Sequence, residues 1–215
     1  MNFLFAPAIA LLKHMRYSAK FTLVAVIAVF AFGYLLYSKI DSATQSVNFT
    51  REELRGLRVL QPYLQTIVQI QQHRGLSAGV LNGNEAMREP LNQKTKAVEK
   101  AMKAVDTVLQ GDGADYKLQG RWQEIRNEWG RLAMPAGLQL TAKESFAAHT
   151  QLIGKLMVTM QDIGDMSNLI LDPEASTYYL VEQLLRSAPE LTERLGRLRA
   201  RGNGILSRKE LDDAA

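Results

Sequence analysis

Residues 54–83 read LRGLRVLQPYLQTIVQIQQHRGLSAGVLNG. Leu54, Leu57, Leu60, Leu64, Ile67 and Val68 recur at three- and four-residue steps, the spacing that lines one face of an α-helix. Pro62 predicts a bend, because a proline inside a helix removes one amide donor. Asn82-Gly83 predicts the end, because glycine readily takes the left-handed backbone of a helix C-terminus. Elsewhere in the chain, alternating β-branched runs and hairpin dipeptides are scarce. The expected fold class is all-α: an N-terminal transmembrane helix continuing into an antiparallel bundle of long helices.

Upstream, Phe21 to Tyr37 reads FTLVAVIAVFAFGYLLY, apolar on every face. At a rise of ~1.5 Å per residue it spans roughly 26 Å, close to the hydrocarbon thickness of a bilayer. Lys13, Arg16 and Lys20 precede it, and no acidic residue occurs before Asp41. Because positive charge stays inside, residues 1–20 are expected in the cytoplasm, 21–37 in the membrane and 38–215 outside. The alternative is a cleaved signal peptide. Its apolar core is usually shorter, and cleavage after Ala43 would place Asp41 where a small neutral residue is wanted. From Asn2 to Met15, with Phe3, Leu4, Phe5, Ile9, Leu11 and Leu12 around Pro7, the chain reads either as an amphipathic stretch on the inner membrane face or as a frayed tail.

The net charge of +4 invites a nucleic-acid reading, but three of the 26 basic residues precede the membrane run. That leaves 23 beside all 22 acidic residues. The exported part is nearly neutral and offers no basic surface for phosphate, so no nucleic-acid partner is expected. The absence of cysteine excludes disulfides and thiolate chemistry.

A second helix is expected over 85–110, with Leu91, Val98, Met102, Val105 and Leu109 inward, and a turn at Gly111-Asp112-Gly113. A third carries Tyr116, Trp122, Ile125, Trp129 and Leu132 and stops at Met134-Pro135-Ala136-Gly137. Thr141-Ala142-Lys143-Glu144 is a capping box that opens a fourth, with Phe146, His149, Ile153, Leu156, Met157, Met160 and Ile163 as its stripe. Asp172-Pro173 caps a fifth over 174–201, which carries Tyr178, Leu180, Val181, Leu184, Leu185, Leu191, Leu195 and Leu198 and kinks at Pro189. After Gly202-Asn203-Gly204, Ser207-Arg208-Lys209-Glu210 announces another helix five residues before the chain ends. The expectation is a domain incomplete at its C-terminus; a frayed tail is the alternative.

Arg74 is the main candidate site residue. A guanidinium within a bundle helix offers a planar fork of donors suited to carboxylate or nitrate. It either binds such an ion or bonds to Asp or Glu on a neighbouring helix. Small Gly75, Ser77, Ala78 and Gly79 allow a helix or a ligand to come close. His73 and His149 either face one another across a helix turnaround, where two histidines without carboxylates make a poor metal site, or are each a satisfied core or surface histidine. Trp122 and Trp129 share a helix face, Tyr178 and Tyr179 follow the Asp172-Pro173 break, and Arg51, Arg55 and Arg58 read as a solvated stripe beside Glu52 and Glu53. No phosphate loop, zinc-protease or serine-hydrolase motif occurs, so neither catalysis nor a cofactor is expected.

Gln71-Gln72-His73-Arg74-Gly75-Leu76-Ser77-Ala78-Gly79-Val80-Leu81-Asn82-Gly83 resembles a segment of helical periplasmic sensor domains related to the nitrate- and nitrite-sensing family. Those domains stand at the front of methyl-accepting chemotaxis proteins and of some histidine kinases and diguanylate cyclases. Phe5-Ala6-Pro7-Ala8-Ile9-Ala10-Leu11, Arg16-Tyr17 with Lys20-Phe21, and Leu171-Asp172-Pro173-Glu174-Ala175-Ser176-Thr177-Tyr178-Tyr179-Leu180 are similar to chemotaxis-receptor members. The resemblance implies a receptor of the bacterial inner membrane with a periplasmic ligand domain, a homodimer, a second crossing and a cytoplasmic signalling bundle. It implies an oxyanion on the arginine that Arg74 matches. The ligand set expected here is Arg74, His73, Ser77, Tyr178 and Tyr179, around a small anionic ligand. Two features depart from the pattern: His73 stands where an acidic residue is common, and no second apolar run follows Tyr37. The competing expectation is a membrane-anchored helical protein whose partner is another protein.

Overall fold

The computed structural model describes residue 13 and residues 15–171 and 175–208. Most of the stretch from Asn2 to Met15, the Asp172-Pro173 cap and the Lys209-Glu210 half of the last capping box lie outside them. The described residues form helices and turns, without strands. In order, α1 is Tyr17–Leu81, α2 Arg88–Gln110, α3 Gln119–Leu132, α4 Ala142–Met166, α5 Ala175–Glu182 and α6 Ala188–Arg208. Contacts divide the chain into two units, Met1–Thr50 and Arg51–Ala215. In the first, the side chains of Phe21 to Tyr37 are almost all exposed, and among the described residues α1 alone is long and apolar enough to cross a membrane. An uncharged helix with no protein around it is what lipid contact requires.

In the second unit, α1 runs through Pro62 without interruption and ends as expected. Gly83 takes φ +91°, and the amides of Gly83 and Asn84 bond to the carbonyls of Val80 and Gly79 at 2.9 and 3.0 Å. This paired bonding satisfies carbonyls that the last turn leaves open. The inward face differs from the predicted stripe. Leu60 and Ile67 are buried, but Leu54, Leu57 and Val68 are exposed, and the buried face comprises Gly56, Val59, Leu60, Tyr63, Thr66, Ile67, Ile70, His73, Arg74, Ser77 and Val80. Four of those positions are polar, so counting apolar residues selects the neighbouring stripe. At Gly79 a Cβ would lie 2.2 Å from Met87 Sδ, whereas one at Gly75 would meet nothing; only Gly79 serves close packing.

A short 3-10 turn at Glu85–Met87 leads into α2, whose five predicted positions are all buried. Trp122 and Trp129 of α3 pack inward while their indole N–H groups donate to Asp106 (2.6 Å) and Glu99 (2.5 Å) of α2. Large aromatic area is thereby removed from water without an orphaned donor. Thr141 makes the predicted capping box: its hydroxyl accepts from the Glu144 amide (3.2 Å) and its amide donates to the Glu144 carboxylate (2.8 Å). On α4, His149, Ile153, Leu156, Met160 and Ile163 are buried. Arg55 and Arg58 also clasp the α2–α3 turn, bonding to Asp115 and Asp112, each at 2.7 Å, with Arg58 remaining exposed as expected of a solvated stripe.

The last helical segment departs most from expectation. A π-helical stretch, Gln183–Ser187, separates α5 from α6, and Pro189 follows it as the second residue of α6. Helix α6 continues through Gly202-Asn203-Gly204 to Arg208, since glycine lowers helix stability by only about 1 kcal/mol. Val181, Leu185, Pro189 and Glu193 form its buried edge, while Leu180, Leu184, Leu191, Leu195 and Leu198 face outward. Four-residue steps advance about 40° each around an α-helix. The wider π turn offsets that drift and keeps the first face, not the leucine face, on the bundle.

Candidate functional site

Helices α1, α4 and α6 converge on Arg74. Adjacent helix positions point about 100° apart, so His73 and Arg74 serve two different neighbourhoods of one site. Arg74 is 2 % exposed. Its Nη1 donates to Glu193 Oε1 at 2.5 Å and to Thr150 Oγ1 at 2.9 Å, and its Nη2 donates to Glu193 Oε2 at 3.1 Å. The guanidinium lies over the Phe146 ring, 4.9 Å from its centroid. Gln71 Nε2 donates to Glu193 Oε2 at 3.1 Å. A Cβ on Gly196 would come within 3.3 Å of Arg74 Nη2, so a bare backbone there makes room for the fork. Of the two alternatives for Arg74, the carboxylate from a neighbouring helix is therefore present.

That pairing has a physical cause. An isolated guanidinium would be very costly at this depth, and a two-pronged carboxylate neutralises it with matched geometry. The same chemistry makes the site selective. A planar fork between an aromatic face and a glycine accepts a flat partner with two coplanar oxygens. Carboxylate, nitrate and nitrite all present that edge.

Beside the ion pair lies a neutral polar chain. His73 Nδ1 and His149 Nε2 are 2.8 Å apart, with the rings stacked. His149 Nδ1 is 2.6 Å from the Ser145 carbonyl, which can only accept, so that nitrogen carries the proton. His149 Nε2 then accepts from His73 Nδ1–H, and His73 Nε2 lies 3.1 Å from the Thr95 hydroxyl, whose single proton the Leu91 carbonyl, 3.0 Å away, also claims. Ser77 Oγ stands 3.2 Å from His73 Nδ1, and Trp129 packs edge-on against His73. Burial, and then the neighbouring His149, pushes His73 down to about 3. Burial pushes His149 down to about 4 against the opposing pull of the Ser145 carbonyl, with the Arg74 charge adding to the lowering. Both rings are neutral at neutral pH. No group of three or more metal-ligating side chains occurs among the described residues.

The structure thus brings together Arg74, His73 and Ser77 of the expected ligand set. Tyr178 and Tyr179 are elsewhere: they lie on α5, 37 % and 66 % exposed and packed edge-on against each other, and neither is among the partners found for Arg74. Glu193 and Thr150 are not marked out by sequence, and Gln71 enters only as the first residue of the family-like segment. Glu193 sits in a run with Glu190, Arg194, Arg197 and Arg199, where one carboxylate looks like any other. The available signal was its four-residue spacing from Val181, Leu185 and Pro189.

Comparison with curated proteins and with solved structures returned no match. The family described as nitrate and nitrite sensing matches residues 65–215. That span includes Arg74, Thr150 and Glu193, and therefore every part of the fork. Covering most of the chain, the match establishes that it belongs to the nitrate and nitrite sensing family.

Proposed function

We propose that the chain is the ligand-sensing part of a chemotaxis-type receptor. Residues 21–37 anchor it in the bacterial inner membrane, with the N-terminus in the cytoplasm and the helical domain in the periplasm. Its ligand is a small planar oxyanion, nitrate or nitrite, held by the guanidinium of Arg74, which Thr150 positions by accepting from Nη1 while its own proton goes to the Phe146 carbonyl. The domain acts as a homodimer and binds rather than catalyses. One observation carries this reading: the buried fork of Arg74 lies between α1, α4 and α6 within the span that matches a sensing family. The exposed apolar run before it supports a membrane anchor, and the basic residues preceding that run support its orientation.

A second reading also has an observation behind it. Glu193 already satisfies Arg74, as in a helical protein whose partner is another protein and which takes no small ligand. Titration of the full chain in detergent micelles with nitrate and nitrite, followed by the fluorescence of Trp122 and Trp129, separates the two. Saturable binding lost in Arg74→Ala supports the sensor. Binding of neither anion, or equal binding by Arg74→Ala, refutes it.

A further inference from the structure

The Arg74–Glu193 pair is joined by two hydrogen bonds, yet its members are not equally enclosed. The Arg74 side chain is 2 % exposed and the Glu193 side chain 10 %. Arg74 is fixed from several sides, by Thr150, by the Phe146 ring and by the backbone at Gly196. Among the described contacts Glu193 is held by Arg74 and by Gln71, itself only half-buried. The carboxylate is therefore the member able to leave. It also matches an anionic ligand in shape and charge: Oε1 and Oε2 lie on Nη1 and Nη2, where two nitrate oxygens would lie.

We propose that Glu193 is a built-in competitor that occupies the anion site in the resting chain, and that its expulsion by the ligand is the switch. This rests on the oxyanion reading above. One fork cannot hold two anions on the same donors, so nitrate binding and the Glu193 bridge exclude each other. Glu193 belongs to α6, whose other links to this site include the packing of Gly196 against the guanidinium. Displacing the carboxylate therefore releases α6 from α1 and α4 at this level. The bridge also sets sensitivity. Apparent affinity falls by the fraction of time the fork is closed, so a tethered competitor moves the response to higher ligand concentration.

The test uses the full chain in nanodiscs with sodium nitrate as the probe. Glu193→Gln keeps the size and an acceptor oxygen but removes the charge. It should bind nitrate on the order of tenfold more tightly than wild type. Glu193→Asp, whose carboxylate is drawn back by one methylene, should fall between them and serves if the Gln variant folds poorly. Because the chain has no cysteine, spin labels placed at Gln151→Cys on α4 and Arg197→Cys on α6 report the helix movement cleanly. Nitrate should change their separation in the wild-type background, and Glu193→Gln should show the changed separation without nitrate. If wild type binds nitrate through Arg74 and the Glu193 variants bind it equally or more weakly, the competitor role is overturned and the nitrate reading stands. If neither wild type nor the Glu193 variants bind nitrate, both are overturned.

Discussion

The paired histidines make the stability of this domain depend on pH in a window that few other groups reach. Folded, His73 and His149 titrate at about 3 and about 4 because they are buried. Unfolded, each has its ordinary value near 6.5. A depressed histidine contributes stability that is fully present above the unfolded value and is lost as pH falls from there toward the folded value. Below pH 6.5 the unfolded chain takes up two protons that the folded chain refuses. Each histidine then costs about 1.4 kcal/mol per pH unit, so between pH 7 and 5 the pair should remove about 4 kcal/mol. Against a typical total of roughly 5–15 kcal/mol this is a large share. The carboxyls of Glu85, Asp112 and Glu144 are held below their usual range by Arg88, Arg58 and the Thr141 amide respectively. Their contributions are lost only as pH falls through that lower range, so the window from 7 to 5 isolates the histidines. Urea melts of the full chain in micelles, read by the buried Trp122 and Trp129, measure the effect. Replacing either histidine by glutamine should halve the slope with pH, and replacing both should flatten it. Stability constant within about 1 kcal/mol across the window, or a double variant with the wild-type slope, would refute the buried neutral pair.

Other outcomes follow from single contacts. Arg74→Ala and Glu193→Ala should each cost about 3–5 kcal/mol in urea melts, because each leaves a buried charge unpaired, while the double variant should cost clearly less than their sum. Thr141→Ala, which removes the side-chain half of the α4 capping box, should cost about 1 kcal/mol in the same melts. Gly83→Ala forces a side chain into the left-handed backbone that ends α1 and should cost about 1–2 kcal/mol, an effect that a neutral melt would exclude.

Helix ends and simple faces were readable from sequence; mixed faces were not. Thr141 with Glu144, and Asn82-Gly83, carry local chemistry that ends or begins a helix whatever surrounds it. The inward positions of α2 and α3 were readable because apolar residues alone supply them. On α1 the reading failed at Leu54, Leu57 and Val68, since Thr66, His73, Arg74 and Ser77 occupy the buried face and the adjacent leucines mimic a core stripe. On α6 it failed because the π stretch changes register, which residue spacing does not announce. The site was half legible. Arg74 stood out as a charge in a helix of small and apolar neighbours, and helix order allowed His73 and His149 to face one another without requiring it. Glu193 did not stand out, because its role depends on which face of α6 meets the bundle.

The most direct measurement is an experimental structure of the chain with nitrate. A planar anion on Nη1 and Nη2 of Arg74, with the Glu193 carboxylate turned away, is the expected result. An intact Arg74–Glu193 bridge at saturating nitrate, with the anion bound elsewhere or absent, would contradict it.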